Sequence, residues 1–181
     1  MNIQSIYALD TDPFKAAQYH TDLHIARAID ECAHVLSAAH LYLDGVIVAE
    51  NRIPGLLKLA SVAGKWTHWA RACSANYRWI HCFMDEALIQ FDRRYGRSHS
   101  HEGPYLSLTA MPRNIVMDDI RQRFPFFGLA LFTDEDIVNA ARKYYFEFLN
   151  VRAQWSQPAK VPPWWIEMTK ERYGTTQGVQ S

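Results

Sequence analysis

The feature that most constrains this chain is the segment opened by Asp12-Pro13, which contains no further proline and no glycine until Gly45. Asp12 offers a side-chain acceptor for unpaired backbone N–H groups, and Pro13 suits the first position of a helix. The pattern predicts one long helix from Pro13 to about Tyr42, closed by a turn at Asp44-Gly45. On a helix that turns about 100° per residue, His20, His24, Arg27, Glu31 and His34 fall in one sector about 80° wide. Ile25, Ile29, Cys32 and Leu36 cluster beside that sector, so the polar stripe borders the packed face and does not lie opposite it.

The rest of the chain reads as further helices joined by long connections. Residues 3–9 are a short apolar stretch, suited to an extended arm or an edge strand. Residues 46–63 hold Pro54 and Gly55 and read as a loop with one short helical piece. A helical region begins near Lys65, and Ser74 suits the N-cap of a helix from Ala75 to Tyr95 that stops at Gly96. Residues 97–132 contain Pro104, Pro112 and Pro125 and read as mostly irregular. Thr133, followed by Asp134, Glu135 and Asp136, starts a helix that runs to about Arg152. Pro158, Pro162 and Pro163 break the chain, Trp164-Trp165 opens a short last helix, and 174–181 read as a frayed tail. The fold class is therefore mainly α: a single compact helical domain over residues 1–181 with long irregular loops.

Trp79, Ile80, Phe83, Ala87 and Phe91 lie on one side of the second long helix, and Asn76, Gln90 and Arg94 share that side. Buried polar groups need partners, so these three point to a polar surface opposite, for which the stripe is the candidate. A salt bridge between Arg94 and Glu31 would be a purely structural form of that match.

Lys and Arg total 19 and Asp and Glu total 19, a net charge of zero that argues against a strongly electrostatic, non-specific nucleic-acid binder. It leaves room for a local basic patch: Arg71, Arg78, Arg93, Arg94 and Arg97, followed by His99 and His101. Cys32, Cys73 and Cys82 form no CxxC pair, which argues against a disulfide framework or zinc knuckle and suits a reducing compartment. No apolar run is long enough to span a bilayer, and the start lacks a signal peptide, so a cytoplasmic protein without membrane contact is expected.

The stripe admits three uses. His20, His24, Glu31 and His34 have the character of metal ligands, and Glu31-Cys32-Ala33-His34 has the Glu-x-x-His spacing of dimetal bundles; a metal-dependent nucleotide hydrolase would use them so. The second Glu-x-x-His that such a bundle requires is missing, so no metal or cofactor is expected. Glu31 can instead act as acid, base or fixed anion, tuned by Arg27 and the histidines. Or the stripe is a hydrogen-bonded seam, as in a non-catalytic nucleotide- or protein-binding protein.

The order Asp10-x-Asp12-Pro13, Ala16-Ala17-x-x-His20-x-Asp22-x-His24-x-x-Arg27-x-x-x-Glu31, Trp69-x-Arg71, Asn76-Tyr77-x-Trp79 and Arg94-Tyr95-Gly96 resembles a set of small phage and bacterial proteins. Those proteins are similar to the pyrimidine-dimer DNA glycosylases of the endonuclease V type. The resemblance covers roughly residues 5–100, and Pro162-Pro163-Trp164-Trp165 is similar to a recurring end of the phage set. It implies a helical enzyme that binds duplex DNA and cleaves an N-glycosidic bond, with Glu31 stabilising the cation that develops on the sugar. Arginines such as Arg71, Arg94 and Arg97, with His99 and Asn76, would hold the nucleic acid, and Tyr77, Trp79 or Trp164 would stack on an exposed base. The family's nucleophile is the amine that follows the initiator Met; here that residue is Asn2, ahead of which Met is ordinarily kept, so an amine nucleophile and a lyase step are not implied. Gln90 stands where the relatives tend to carry an acid.

Overall fold

The helix that begins at Pro13 ends at Gln18, and the next begins at Asp22. The single helix expected from Pro13 to Tyr42 is thus two, α1 (Pro13–Gln18) and α2 (Asp22–Asp44), in a computed structural model that describes residues 5–57, 63–125, 136–149 and 153–174. Asp12 caps α1 as expected, its carboxylate accepting from Phe14 N at 2.9 Å. The break comes from partners remote in sequence. Thr21 is extended (ψ 164°), and its N–H donates to the Tyr145 hydroxyl at 2.9 Å. Asp22 N donates to Gln154 O at 2.9 Å, while the Asp22 carboxylate accepts from Ser156 N and Oγ at 3.0 and 2.6 Å. Arg94 closes the clamp: its guanidinium donates to the carbonyls of His20 (2.7 Å) and Gln18 (3.1 Å) and to Asp22 Oδ1 (3.3 Å). Local helix propensity yields to these tertiary bonds.

Three further helices follow: α3 (Val46–Arg52), α4 (Lys65–Ala70) and α5 (Ser74–Tyr95). α5 is the axis of the fold, with α1 and α2 packed along it. Ala16, Ala17, Ala28 and Ala33 are fully buried, and such small side chains let helix backbones approach closely. Ile25, Ile29 and Leu36 of α2 and Ile80, Phe83 and Met84 of α5 fill the main core. Gly96 ends α5 in the left-handed region (φ 63°), as its place in the sequence predicts. Ser74 is the first residue of α5 and not its cap: its Oγ donates to Asp118 O at 2.8 Å and accepts from Asp118 N at 3.0 Å. Ser74 N and Ala75 N donate to the carbonyls of Val116 and Asp118, so the loop at 111–125 satisfies the first turn of α5.

The remaining helices are α6 (Glu102–Ser107), which lies within the stretch expected to be irregular, α7 (Ile137–Leu149) and α8 (Pro163–Tyr173). The expected start at Thr133, the end at Arg152 and the tail beyond Gly174 lie outside the described residues. Every regular element among the described residues is a helix, and the fold is mainly α.

The arm at residues 5–9 has no regular structure, and its side chains alternate. Ile6 and Ala8 enter the main core, while Tyr7 and Leu9 enter a second cluster with Tyr145, Phe146, Trp164 and Trp165. Four indoles fix the irregular segments: Trp66, Trp79, Trp155 and Trp69 donate to the carbonyls of Ile6, Thr11, Tyr19 and Arg123 at 2.9 to 3.1 Å. Removing Arg94 takes the donor from two carbonyls and the charged partner from the Asp22 carboxylate, which keeps only its bonds from Ser156. Arg94→Ala is therefore expected to lose about 3 kcal/mol in urea denaturation, with Lys in its place restoring at most part of that loss.

Candidate functional site

The break at Tyr19–Thr21 changes the geometry of the stripe. His20 lies before α2 and has no exposed surface, and His24 is buried on the first turn of α2. Glu31 sits half-buried at the boundary, and Arg27 and His34 are exposed. The five residues therefore form a line from the interior to solvent, not one flat face.

Each member has its own partners. His20 Nδ1 lies 2.7 Å from Ala16 O, and Nε2 lies 3.1 Å from Ser5 O and 3.3 Å from Tyr7 N, so the ring is bonded at both nitrogens. Tyr145 donates to Thr21 Oγ1 (3.2 Å), which in turn donates to His24 Nδ1 (2.9 Å). The Tyr7 ring lies against both imidazoles, with centroids 6.0 Å and 5.9 Å away. Burial pushes His20 from its ordinary 6.5 to about 3. Burial, helped by the charge of Arg27, brings His24 to about 4.

Glu31 Oε2 accepts from Ser5 N at 2.6 Å and from Ile6 N at 2.9 Å. Desolvation raises its pKa; the two backbone N–H groups and the nearby His34 oppose that shift without cancelling it. His34 Nδ1 donates to Asp30 O at 2.8 Å. Glu31 is thus an oriented carboxylate, held by the arm, with Arg27 one turn before it and His34 almost one turn after. The Arg94–Glu31 bridge considered from sequence does not form: Arg94 pairs with Asp22. Among the described residues, no three His, Cys, Asp or Glu side chains are placed to hold a metal ion. The four side chains of the metal reading do not converge.

The residues expected to touch nucleic acid are dispersed. Asn76 is buried; its Nδ2 donates to Trp69 O at 2.8 Å and its Oδ1 accepts from Gln122 N at 2.9 Å. Tyr77 is buried, donating to Leu108 O at 2.8 Å and accepting from His40 Nε2 at 3.0 Å. Arg94 NH1 and NH2 are both occupied within the protein, one bond going to Gln90 Oε1 at 3.1 Å. Gln90 needs its amide for this, since its Nε2 donates to Glu86 at 2.8 Å. Trp164 is buried against Trp165 and Tyr145. Arg71 precedes α5, whereas Arg97 and His99 follow it. The 22 residues of α5 separate them by about 33 Å. The basic patch expected from sequence order is therefore not one surface. Around Arg93 and His99 the carboxylates of Asp85, Asp92 and Glu102 line an open groove of about 500 Å³.

Sequence reasoning offered an arm at residues 3–9 but gave it no part in holding Glu31, and it overlooked Tyr145. The signal for Tyr145 was its place on the apolar side of α7, where a buried hydroxyl requires a partner. It also overlooked His40, which burial pushes to about 4. No helix among the described residues is long and apolar enough to cross a membrane. No protein-family model matches the chain, and no curated protein or solved structure is significantly similar to it.

The buried histidines set a pH dependence. The unfolded chain binds a proton at His20 below about 6.5, and the folded chain does so near 3. The stability from its neutral ring is complete above 6.5 and is lost as pH falls toward 3, by about 1.4 kcal/mol for each pH unit. Melting temperature is expected to fall steadily from pH 7 to pH 5, with a shallower slope in His20→Gln, whose amide can serve both partners.

Proposed function

We propose that this protein is a DNA N-glycosylase-like enzyme that removes a damaged or modified base, with Glu31 stabilising the positive charge that develops on the sugar. The observation that carries this reading is the state of Glu31: a half-buried carboxylate with a raised pKa, fixed by two N–H groups of the arm. A raised carboxylate pKa means that desolvation of the anion outweighs the positive groups around it. A sugar that gains cationic character as its C–N bond lengthens supplies charge of the right sign. The interaction is then stronger in the transition state than with the neutral substrate, which is the condition for acceleration. The base departs with the bonding electron pair and takes up a proton, and water adds its hydroxyl to the sugar. Arg27, exposed one turn away, suits a phosphate oxygen. The resemblance in residues 5–100 supports the same role for Glu31.

The bonds to Ser5 and Ile6 also suit a purely structural staple, and Glu31→Gln separates the two roles. The amide oxygen still accepts from both N–H groups, while the charge is gone. Abasic-site formation in duplex DNA carrying damaged or hypermodified pyrimidines is expected to fall at least about 100-fold in Glu31→Gln, with an unchanged melting temperature. The wild-type rate is expected to rise with pH through the Glu31 titration, above the ordinary value of 4.5. If the wild type forms no abasic sites, or equal amounts with Glu31→Gln, the reading fails.

A further inference from the structure

Arg27, Glu31 and His34 share one sector of α2, and each keeps a polar atom that the fold leaves unused. Arg27 is exposed and has no bonded partner among the described residues. Glu31 gives Oε2 to both N–H groups of the arm and keeps Oε1 unbonded among the described residues. His34 is exposed, and its ring makes a single bond there, from Nδ1 to Asp30 O at 2.8 Å.

That bond sets the chemistry of the ring. A carbonyl oxygen only accepts, so Nδ1 carries the proton in the neutral ring and Nε2 carries the lone pair. A second proton therefore binds at Nε2, the nitrogen that no described group holds. The other histidines near this turn are differently placed. His20 and His24 are buried and held neutral. His99 and His101 reach α2 from the loop after α5, but both turn Nε2 toward the Asp30 carboxylate, at 3.7 and 3.1 Å. The charged and titratable groups around His34 are thus Asp30 and Glu31 on its own helix, His99 and His101 beyond Asp30, and Arg27 two turns before it. The charge of His34 acts on Glu31 and opposes the effect of its burial.

At about 1.5 Å of rise per residue, Glu31 lies about 6 Å beyond Arg27 along the axis, and His34 about 4.5 Å beyond Glu31. A cation, an anion and a proton donor follow one another as phosphate, sugar and base do in a nucleotide. We propose that one nucleotide lies along α2, with a phosphate on Arg27, the sugar at Glu31 Oε1 and the base at His34, whose Nε2 proton passes to the departing base. The inference rests on the glycosylase reading for the reaction. The C–N bond breaks and its electron pair leaves with the base; the Nε2–H bond breaks and its proton joins the base, which departs neutral. Water adds its hydroxyl to the sugar and releases a proton to solvent, from which the exposed Nε2 is recharged. The carboxylate that favours a sugar cation repels a base leaving as an anion, and a proton supplied one turn away removes that conflict.

The pH profile of base release tests the donor. The wild-type rate is expected to fall again at the alkaline end, as the Nε2 proton is lost. His34→Gln, whose amide can still donate to Asp30 O, is expected to lose that fall and about 100-fold in maximal rate, with an unchanged melting temperature. On a substrate whose base leaves more readily because its ring is halogenated, the same variant is expected to lose no more than about threefold. Arg27→Ala is expected to raise KM about tenfold while keeping both limbs of the profile. Nitrogen-15 spectra of the free protein are expected to show the neutral His34 ring protonated on Nδ1. An Nε2–H tautomer, an unchanged profile in His34→Gln, or an equal loss on the halogenated base overturns the donor. An unchanged KM in Arg27→Ala overturns the placement of the nucleotide. Base release that needs Glu31 but not His34 overturns this inference alone, whereas a wild type that releases no base overturns it together with the glycosylase reading.

Discussion

The rest of the structure depends on the clamp at the break between α1 and α2. Arg94 reaches from the last turn of α5 to hold two carbonyls of that break and the carboxylate of Asp22. Tyr145 reaches from α7 to take the N–H of Thr21. Without the break, His20 would continue the surface of one helix. With it, His20 turns inward beneath the arm, and α1 lies along α5 as a separate piece. Asp22 also receives Ser156, so the same few atoms fix where the C-terminal part of the chain begins to pack. A charged pair with little solvent access gains from such company, because each carbonyl and hydroxyl that joins offsets part of the desolvation.

Burial distributes the polar residues of the stripe into two kinds. Burial holds His20 and His24 neutral, and they brace the arm and the start of α2. Glu31 keeps its carboxylate at the edge, where desolvation raises its pKa and two N–H groups orient it. A group at such an edge is the one whose charge a bound molecule can change most, since both water and the protein interior are within reach. Glu31 holds that position because the arm passes over α2 at this turn.

Several features were legible in the sequence because their causes are local. Asp12-Pro13 and Gly96 mark real ends, since caps act within a few residues. The apolar face of α5 was legible through its period. The break at Thr21 was not, because Arg94, Tyr145 and Ser156 come from distant segments and leave no trace in the helical pattern around it. The burial of His20 and His24 followed from the same partners and was hidden for the same reason. The cations misled by sequence proximity: Arg71 and Arg97 lie at opposite ends of a long helix, while the Trp69 indole meets the carbonyl of Arg123 across a connection of some fifty residues. Of the candidate site, the helical period grouped Glu31, Arg27 and His34 with His20 and His24, but the arm that holds Glu31 was a short apolar stretch with no chemical signal.

The arm has a further consequence. Its alternate side chains enter both apolar clusters, so it is a wall that the two share. Neither cluster can open without stripping one face of the same five residues from its packing. The helices on either side should then open together in one cooperative event, and the slowest-exchanging amides of α5 and α7 should share a single opening free energy. A short segment with no secondary structure of its own would in this way set how many independently unfolding units the protein has.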